Sequence, residues 1–389
     1  MVYFDNAATS FPKPEAVIRA QQFATMHCGG NPGRGGHAYS LRAGEQIFRV
    51  RQQTADFFNT DAERVVFTAN CTTALNFAIK GYLQKKSHVL CSDLEHNAVY
   101  RPLWKAQENG EIELEIVPTC DDSDEATVAA FERQIRVETK LVVCTHASNV
   151  SGRILPVEKI GALCARSGIR FIVDCAQSAG HVPIDIEKMC ADAIAVAAHK
   201  GLYAPSGTGI LLLRKGVSIP DTLIEGGTGS LSAQKEMPDF LPDRLEAGSL
   251  NTSGILGIGA GLDFVSRNFL RIRDKETALC DYVANELQKI EGVQLLNRGN
   301  RHIPIVSFRI DGMHSEEVSA LLNHAGFAVR GGLHCAPLAH KHYKSEKEGA
   351  LRFAPSFFNT KEQCVQFVIF VRNLRKNMGR TLELPLKSW

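Results

Sequence analysis

From about residue 64 to 215, the chain alternates short apolar runs with segments whose apolar residues recur at helical spacing. Arg64 to Thr68 (RVVFT) predicts a strand, and NCTTALNFAIKGYL after it predicts a helix. His88 to Cys91 predicts a short strand, and the segment opening at His96 a second helix. EIELEIV from Glu111 alternates apolar and acidic residues with period two, the pattern of a strand with one wet face. LVVCTHA from Leu141, FIVD from Phe171, AIAVAA from Ala193 and GILLLR from Gly209 are near-continuous apolar runs, which suit strands covered on both faces. Between the first two lies VEKIGALCARSG, an amphipathic helix ending at Gly168. This βαβα rhythm predicts an α/β fold with a mostly parallel, doubly wound sheet.

After about residue 257 the pattern changes. A long helical stretch from Leu262 leads into VQLLN, IPIVSFRI and FAVR, read as strands, and KEQCVQFVIFVRNLRK predicts a last helix. We read residues 15–257 as a large domain, and residues 1–14 with 258–389 as a smaller α+β C-terminal domain joined by the N-terminal segment. EGGTGSLS, from Glu225, reads as a loop. A length of 389 residues agrees with this division, since one hydrophobic core rarely serves so long a chain.

Composition removes several classes of function. Hydrophobic residues at 44% and charged residues at 22% are ordinary globular values. A net charge of +2 with no long run of one sign gives no support to a nucleic-acid or polybasic membrane surface. MVYFDNAATS lacks the layout of a signal peptide, and VQFVIFV, among the longest uncharged apolar stretches, is too short to span a bilayer. The 11 cysteines are scattered without a CxxC, which argues against zinc ribbons and thioredoxin-type motifs. Free thiols in a reducing cytoplasm are the expectation.

Ligands on doubly wound sheets collect outside the carboxyl ends of strands. There the sequence places His146 and Asn149, Asp174 and Gln177, His199 and Lys200, and Cys71 and Thr72 at a helix start. Each alone is ordinary: a surface lysine, a capping aspartate, a turn asparagine. Together they describe one ligand, pyridoxal 5'-phosphate (PLP). Lys200 follows small apolar residues, where desolvation would lower its pKa and favour Schiff-base chemistry. Asp174 would pair with a protonated pyridine nitrogen. The helix start at Cys71 and Thr72 would hold a phosphate, and His96 would stack on a flat ring. No GxxxxGK[ST] is present and GILGIGAG does not follow a strand, so nucleotide binding explains these residues less well. His334, Cys335, His340 and His342 form no convincing metal set, because a metal would block the thiol.

The whole chain resembles the class V aminotransferase family of fold-type I PLP enzymes, and within it the SufS-like cysteine desulfurases. YFDNAATS, FTANCTTALN, DLEHNAVYRPLW, HASNVSG, VDCAQSAGHVPIDI and AVAAHKGLYAPSGTGILLLR stand in the family's order, followed by LEAGSLNTSGILG, VRGGLHCAP and LRFAPSFFNTKEQ. The resemblance implies that Lys200, Cys335 and His96 are catalytic. It implies that Thr72, the backbone near Cys71 and His199 hold the phosphate, that Asp174 holds the pyridinium and that Gln177 bonds the ring oxygen. Ser249 would be contributed by a partner subunit, so a homodimer is implied. Arg352 would grip the substrate carboxylate with Asn149 assisting, and Arg330 stands with them among the substrate-binding residues. Cys335 matches the nucleophile that takes sulfur from L-cysteine, leaving L-alanine, and Arg330 with His334 would raise its thiolate fraction. A sulfur-acceptor protein is the implied partner. The alternatives are a selenocysteine lyase acting on L-selenocysteine, a class V aminotransferase, and a non-catalytic sulfur-relay scaffold. The chain departs from the SufS-like pattern at Leu333, Ala198 and Thr73.

Overall fold

The structure is a computed structural model in which residues 1–33 and 35–377 are described. The chain opens with β1 (Val2–Tyr3), α1 (Glu15–His27) and α2 (Ala38–Phe58). Strand and helix then alternate: β2 (Val65–Thr68), α3 (Cys71–Tyr82), β3 (Ser87–Ser92), α4 (Asn97–Glu108), β4 (Ile112–Val117), α5 (Asp124–Gln134), β5 (Thr139–Thr145) and α6 (Val157–Arg166). β6 (Arg170–Asp174), β7 (Ala193–Ala197) and β8 (Gly209–Leu213) follow. These seven strands make one sheet in the order β2-β8-β7-β6-β5-β3-β4. β4, β3, β5, β6 and β7 run parallel to one another, whereas β8 runs antiparallel to both β7 and β2. No helix separates β7 from β8, so the chain turns back and pairs antiparallel, as a short connection requires.

The apolar runs are buried on both faces. In β6, Phe171 and Val173 join a core with Ile47 of α2 and Ile160 of α6, while Ile172 joins a second core with Leu75 of α3 and Leu103 of α4. That alternation is the period-two geometry of a strand between two helical layers. β2 is parallel to β7 through the intervening β8, so the carboxyl ends of β2, β3, β5, β6 and β7 share one edge. All the candidate strand-end chemistry therefore gathers on that side.

α7 (Thr252–Leu287) is a 36-residue helix that runs through residue 257, where the sequence places a boundary. Its first part sends Ile255, Ile258 and Leu262 into the large core. Its last part sends Leu279, Val283 and Leu287 into a separate core with Phe308, Phe353 and Phe367. That separate core belongs to β9 (Val293–Leu295), β10 (Val306–Ile310), α8 (Ser315–His324), β11 (Phe327–Ala328), β12 (Leu351–Phe353) and α10 (Lys361–Asn377), whereas α9 (Pro337–His342) sends Ala339 into the large core. β12, β10 and β9 form an antiparallel sheet, and β1 pairs with β11, so the N-terminal strand sits with the C-terminal elements. Residues 378–389 of the expected small domain lie outside the described residues. Among the described residues no helix is long and apolar enough to cross a membrane.

A charged clasp ties α9 to the loops of the large sheet. His342 Nδ1 lies 2.8 Å from Asp93 Oδ2 and Nε2 3.5 Å from Asp121 Oδ2. Tyr343 donates to Asp121 Oδ1 at 2.8 Å, and its hydroxyl oxygen lies 2.7 Å from Ser151 Oγ, which donates to it. Hydrogen bonds to Asp121 and Asp93 push the His342 pKa up to about 10, against a desolvation that lowers it. A folded pKa above the unfolded value of about 6.5 stabilises the protein below that pH. The contribution is lost as pH rises through about 10. Wild-type thermal stability is therefore expected to fall between pH 6.5 and 10. His342→Gln should flatten that decline and cost about 1.5–3 kcal/mol at pH 6, the range for hydrogen bonds to charged groups. An identical pH dependence in the variant would contradict this.

Candidate active site

A cavity of about 180 Å³ opens at the carboxyl edge of the sheet, far more than the ~10–15 Å³ one water needs. Its walls include Cys71, Thr72, His96, Asn149, Asp174, Gln177, His199 and Lys200. Four other candidates lie outside it. Cys335 borders an adjoining groove that shares Thr72 and His96 with the cavity. Arg330 and Arg352 stand on paired backbone beside the Cys335 loop, with Arg352 N–H donating to the Arg330 carbonyl at 2.8 Å. Ser249 is exposed, takes a hydrogen bond from Asn31 Nδ2 at 3.3 Å and is not among the residues lining the cavity.

One wall is the start of α3. Asn70 caps it, accepting from the Thr73 N–H at 2.9 Å, which leaves other first-turn N–H groups facing the cavity. β8 must approach closely here: a Cβ on Gly209 would stand 2.2 Å from the Asn70 carbonyl carbon. The floor is β6. Asp174 is 3% exposed; its Oδ1 accepts from the Ala176 N–H at 2.8 Å and stands 3.7 Å from Cys71 Sγ. Burial raises its pKa, because this carboxylate has too few donors around it.

Lys200 closes β7's end of the cavity. Desolvation lowers its pKa most, Arg352 and Arg330 push the same way, and Asp174 opposes them. A Cβ on the next residue, Gly201, would lie 2.2 Å from the Ala179 carbonyl oxygen, so glycine lets the lysine loop press on its neighbour. The N-terminal segment wraps this loop: Lys13 Nζ donates to the His199 carbonyl at 2.8 Å, and His199 Nδ1 lies 3.0 Å from Thr9 Oγ1. Gln177 Nε2 donates to the Ala7 carbonyl at 2.9 Å. His96 caps α4, its Nδ1 accepting from the Ala98 N–H at 3.0 Å. Burial first, then Lys200, brings the pKa values of His96 and His199 down to about 4, so both rings are neutral near pH 7.

Cys335 is the one exposed cysteine of the eleven; the rest are buried or half-buried. Its loop is held in an uncommon backbone, with φ of 105° at Gly332, 51° at His334 and 56° at Cys335. A left-handed conformation costs roughly 1–2 kcal/mol for a residue with a side chain, so contacts must over-determine it. Asn149 Nδ2 donates to the His334 carbonyl and the Asn97 N–H to the Cys335 carbonyl, both at 2.7 Å. Arg330 Nη2 stands 3.7 Å from Cys335 Sγ. His334 does not join it. Its Nδ1 lies 3.2 Å from His340 Nε2 and its Nε2 3.2 Å from the Arg330 carbonyl, and burial holds it neutral. The expectation that His334 supports a thiolate is therefore corrected: Arg330 is the cation at the sulfur.

Two acids escape sequence reading. Asp5 Oδ1 accepts from Arg352 Nη2 at 2.8 Å, while Nη1 donates to the Asn149 carbonyl at 3.0 Å. Arg352 is 2% exposed and its Nε has no partner, so the guanidinium is anchored with donor capacity to spare. Glu95, fully buried next to His96, accepts from the Thr145 N–H at 2.7 Å through Oε1, and its Oε2 is unpartnered. Burial raises its pKa to about 8. Asp5 and Glu95 carry a signal only in their places within YFDNAATS and DLEHNAVYRPLW.

The arrangement unites a deprotonatable lysine, a buried carboxylate short of a cation, a neutral imidazole, a helix start suited to an anion and an accessible thiol beside a guanidinium. Comparisons with known proteins give the family of the chain. The family model described as aminotransferase class-V matches residues 2–367. A probable cysteine desulfurase of Methanothermobacter thermautotrophicus is 31% identical, over 93% of this chain and 92% of that one. A cysteine desulfurase of Yersinia pestis is 31% identical over 97% of this chain and 94% of its own. The apo structure of a cysteine desulfurase from Thermococcus onnurineus NA1 matches with a TM-score of 0.87 and 29% identity, covering 97% of this chain and 95% of that one. On the family match over residues 2–367 and the likeness in sequence and fold, the chain belongs to the class-V aminotransferase family.

Proposed function

We propose that the protein is a PLP-dependent cysteine desulfurase, which takes sulfur from L-cysteine, releases L-alanine and carries the sulfur as a persulfide on Cys335. The observation that carries this reading is the placement of the one exposed cysteine, beside Arg330, where its groove meets a cavity lined by Lys200 and Asp174. The cavity fits PLP: Asp174 lacks a cation that a ring N–H supplies, and Thr72 with the first turn of α3 suits a phosphate. His199 and Gln177 complete its walls. When bound, PLP supplies an electron sink that stabilises negative charge on the substrate's carbon skeleton.

The chain's own residues do the rest. Lys200, its pKa lowered by burial, takes and returns a proton at the substrate Cα. His96 presents a neutral ring for stacking. Arg352 and Asn149 orient the substrate carboxylate. Cys335 Sγ attacks the substrate sulfur; the Sγ–S bond forms as the Cβ–S bond breaks, and Cβ takes up a proton to give alanine. Ser249, exposed and not among the lining of its own chain's cavity, accords with a homodimer in which each chain completes the other's site. The free cysteines accord with a reducing cytoplasm.

The test is alanine formed from L-cysteine with a thiol reductant. The wild-type protein should make alanine, while Cys335→Ala should keep its bound cofactor and fall to background. Equal alanine from both would sink the persulfide reading.

A further inference from the structure

The groove beyond Cys335 carries an unbalanced charge. It runs between α3 and α4 and holds about 710 Å³. Lys80, Lys85, Arg101 and Lys105 line it against one acid, Glu111. All four cations are exposed, and among the described residues none of them forms an ion pair. Many exposed cations elsewhere are matched: Lys159 with Glu125 at 2.7 Å, Lys215 with Asp61 at 2.9 Å, Arg136 with Glu113 at 2.7 Å. For a chain of net charge +2, four unpaired cations in one cleft are a local concentration rather than a general basicity. Concave, low-dielectric walls focus such a potential, and its reach at physiological salt is roughly 8 Å.

Between the cations the lining mixes apolar Leu83, Pro102, Ala106 and Ile112 with the amides of Asn76 and Asn109. No Phe, Tyr or Trp lines it, and its one aromatic ring, His96, sits at the end shared with the cofactor cavity, so it offers no run of stacking surfaces for bases. Cations around a floor of aliphatic side chains and amides, which can bond a peptide backbone, fit an extended segment that mixes acidic and aliphatic residues.

We propose that this groove docks an acidic segment of a protein that brings a thiol to Cys335. The docking stands on the groove alone; the thiol rests on the persulfide reading above. In the transfer, the partner's thiolate attacks the outer sulfur of the Cys335 persulfide. A new S–S bond forms on the partner, the bond to Cys335 Sγ breaks, and Cys335 leaves as a thiolate.

The experiment uses the holoenzyme and two fluorescent peptides without cysteine, one of Asp, Glu and Leu, the other with Lys in place of the acids. The acidic peptide should bind by anisotropy and slow alkylation of Cys335 by iodoacetamide, while the basic one does neither. Combined Lys80→Glu, Lys85→Glu and Lys105→Glu should weaken binding by about tenfold or more, and the three glutamine substitutions by less. Raising the salt should weaken it as well. Equal affinity for the basic peptide, or none lost on charge reversal, overturns the proposal. So does displacement of the peptide by inorganic phosphate or an oligonucleotide at equal concentration. Loss of a dimer in the reversed variant would make the groove a contact between copies, and also overturns it. In a second arm the acidic peptide carries one cysteine and the enzyme is first loaded with L-cysteine. Binding and protection without sulfur transfer would leave the docking standing and remove the persulfide reading instead.

Discussion

Lys200→Ala is expected to lower turnover of L-cysteine by at least about 10³-fold, within the range for losing a positioned general acid–base group. It should also remove the link to the cofactor that borohydride fixes in the wild-type chain. The expectation follows from what surrounds the amine. Desolvation, Arg352 and Arg330 all favour its neutral, nucleophilic form, and Asp174 keeps it from being driven further. Alanine offers neither a nucleophile nor a proton carrier, and no other lysine lines the cavity. Lys200→Arg should be equally inactive, since guanidinium does not deprotonate near neutral pH. Turnover within tenfold of wild type in either variant would remove Lys200 from the chemistry.

Arg352→Lys is expected to raise KM for L-cysteine with much less change in kcat at saturation and none in cofactor content. Arg352 is buried, spends Nη2 on Asp5 and Nη1 on the Asn149 carbonyl, and keeps an unpartnered Nε. A lysine ammonium cannot satisfy Asp5 and the Asn149 carbonyl while also presenting a fork to an incoming carboxylate. Breaking a buried, hydrogen-bonded charge contact costs about 2–4 kcal/mol, or roughly 30- to 700-fold in affinity. Asp5→Asn tests the anchor: it should raise KM less, because the guanidinium remains but is held by a weaker neutral contact. An unchanged KM in Arg352→Lys would place carboxylate recognition elsewhere.

Much of the sheet was legible because its strands are buried on both faces. FIVD, AIAVAA and GILLLR mark β6, β7 and β8 without needing alternation, and EIELEIV marks β4 through its half-wet face. The direction of β8 was not legible. Apolar runs are the same read either way, and only the missing helix after β7 betrays the reversal. α7 begins ten residues before the helical stretch read from Leu262, because the four glycines of GILGIGAG are poor helix formers and hide the helical pattern there. Those glycines are there for packing: a Cβ on Gly261 would stand 2.1 Å from the Leu202 carbonyl oxygen. For the site, residues directly after strands were readable from their position alone. Arg352 with Asp5, and His342 with Asp93 and Asp121, pair across long sequence separations that no periodicity encodes. The orientation of His334 likewise depends on His340, five residues past Cys335, and not on the thiol beside it.

The central claim is that sulfur rests on Cys335 during turnover. The most direct measurement mixes the holoenzyme briefly with L-cysteine, blocks the thiols and maps all eleven cysteines by peptide mass. The account predicts one added sulfur atom on the peptide bearing Cys335 and none on the ten less exposed cysteines. Alanine release with the added sulfur on Cys71 or another buried thiol, or on no cysteine at all, would contradict it.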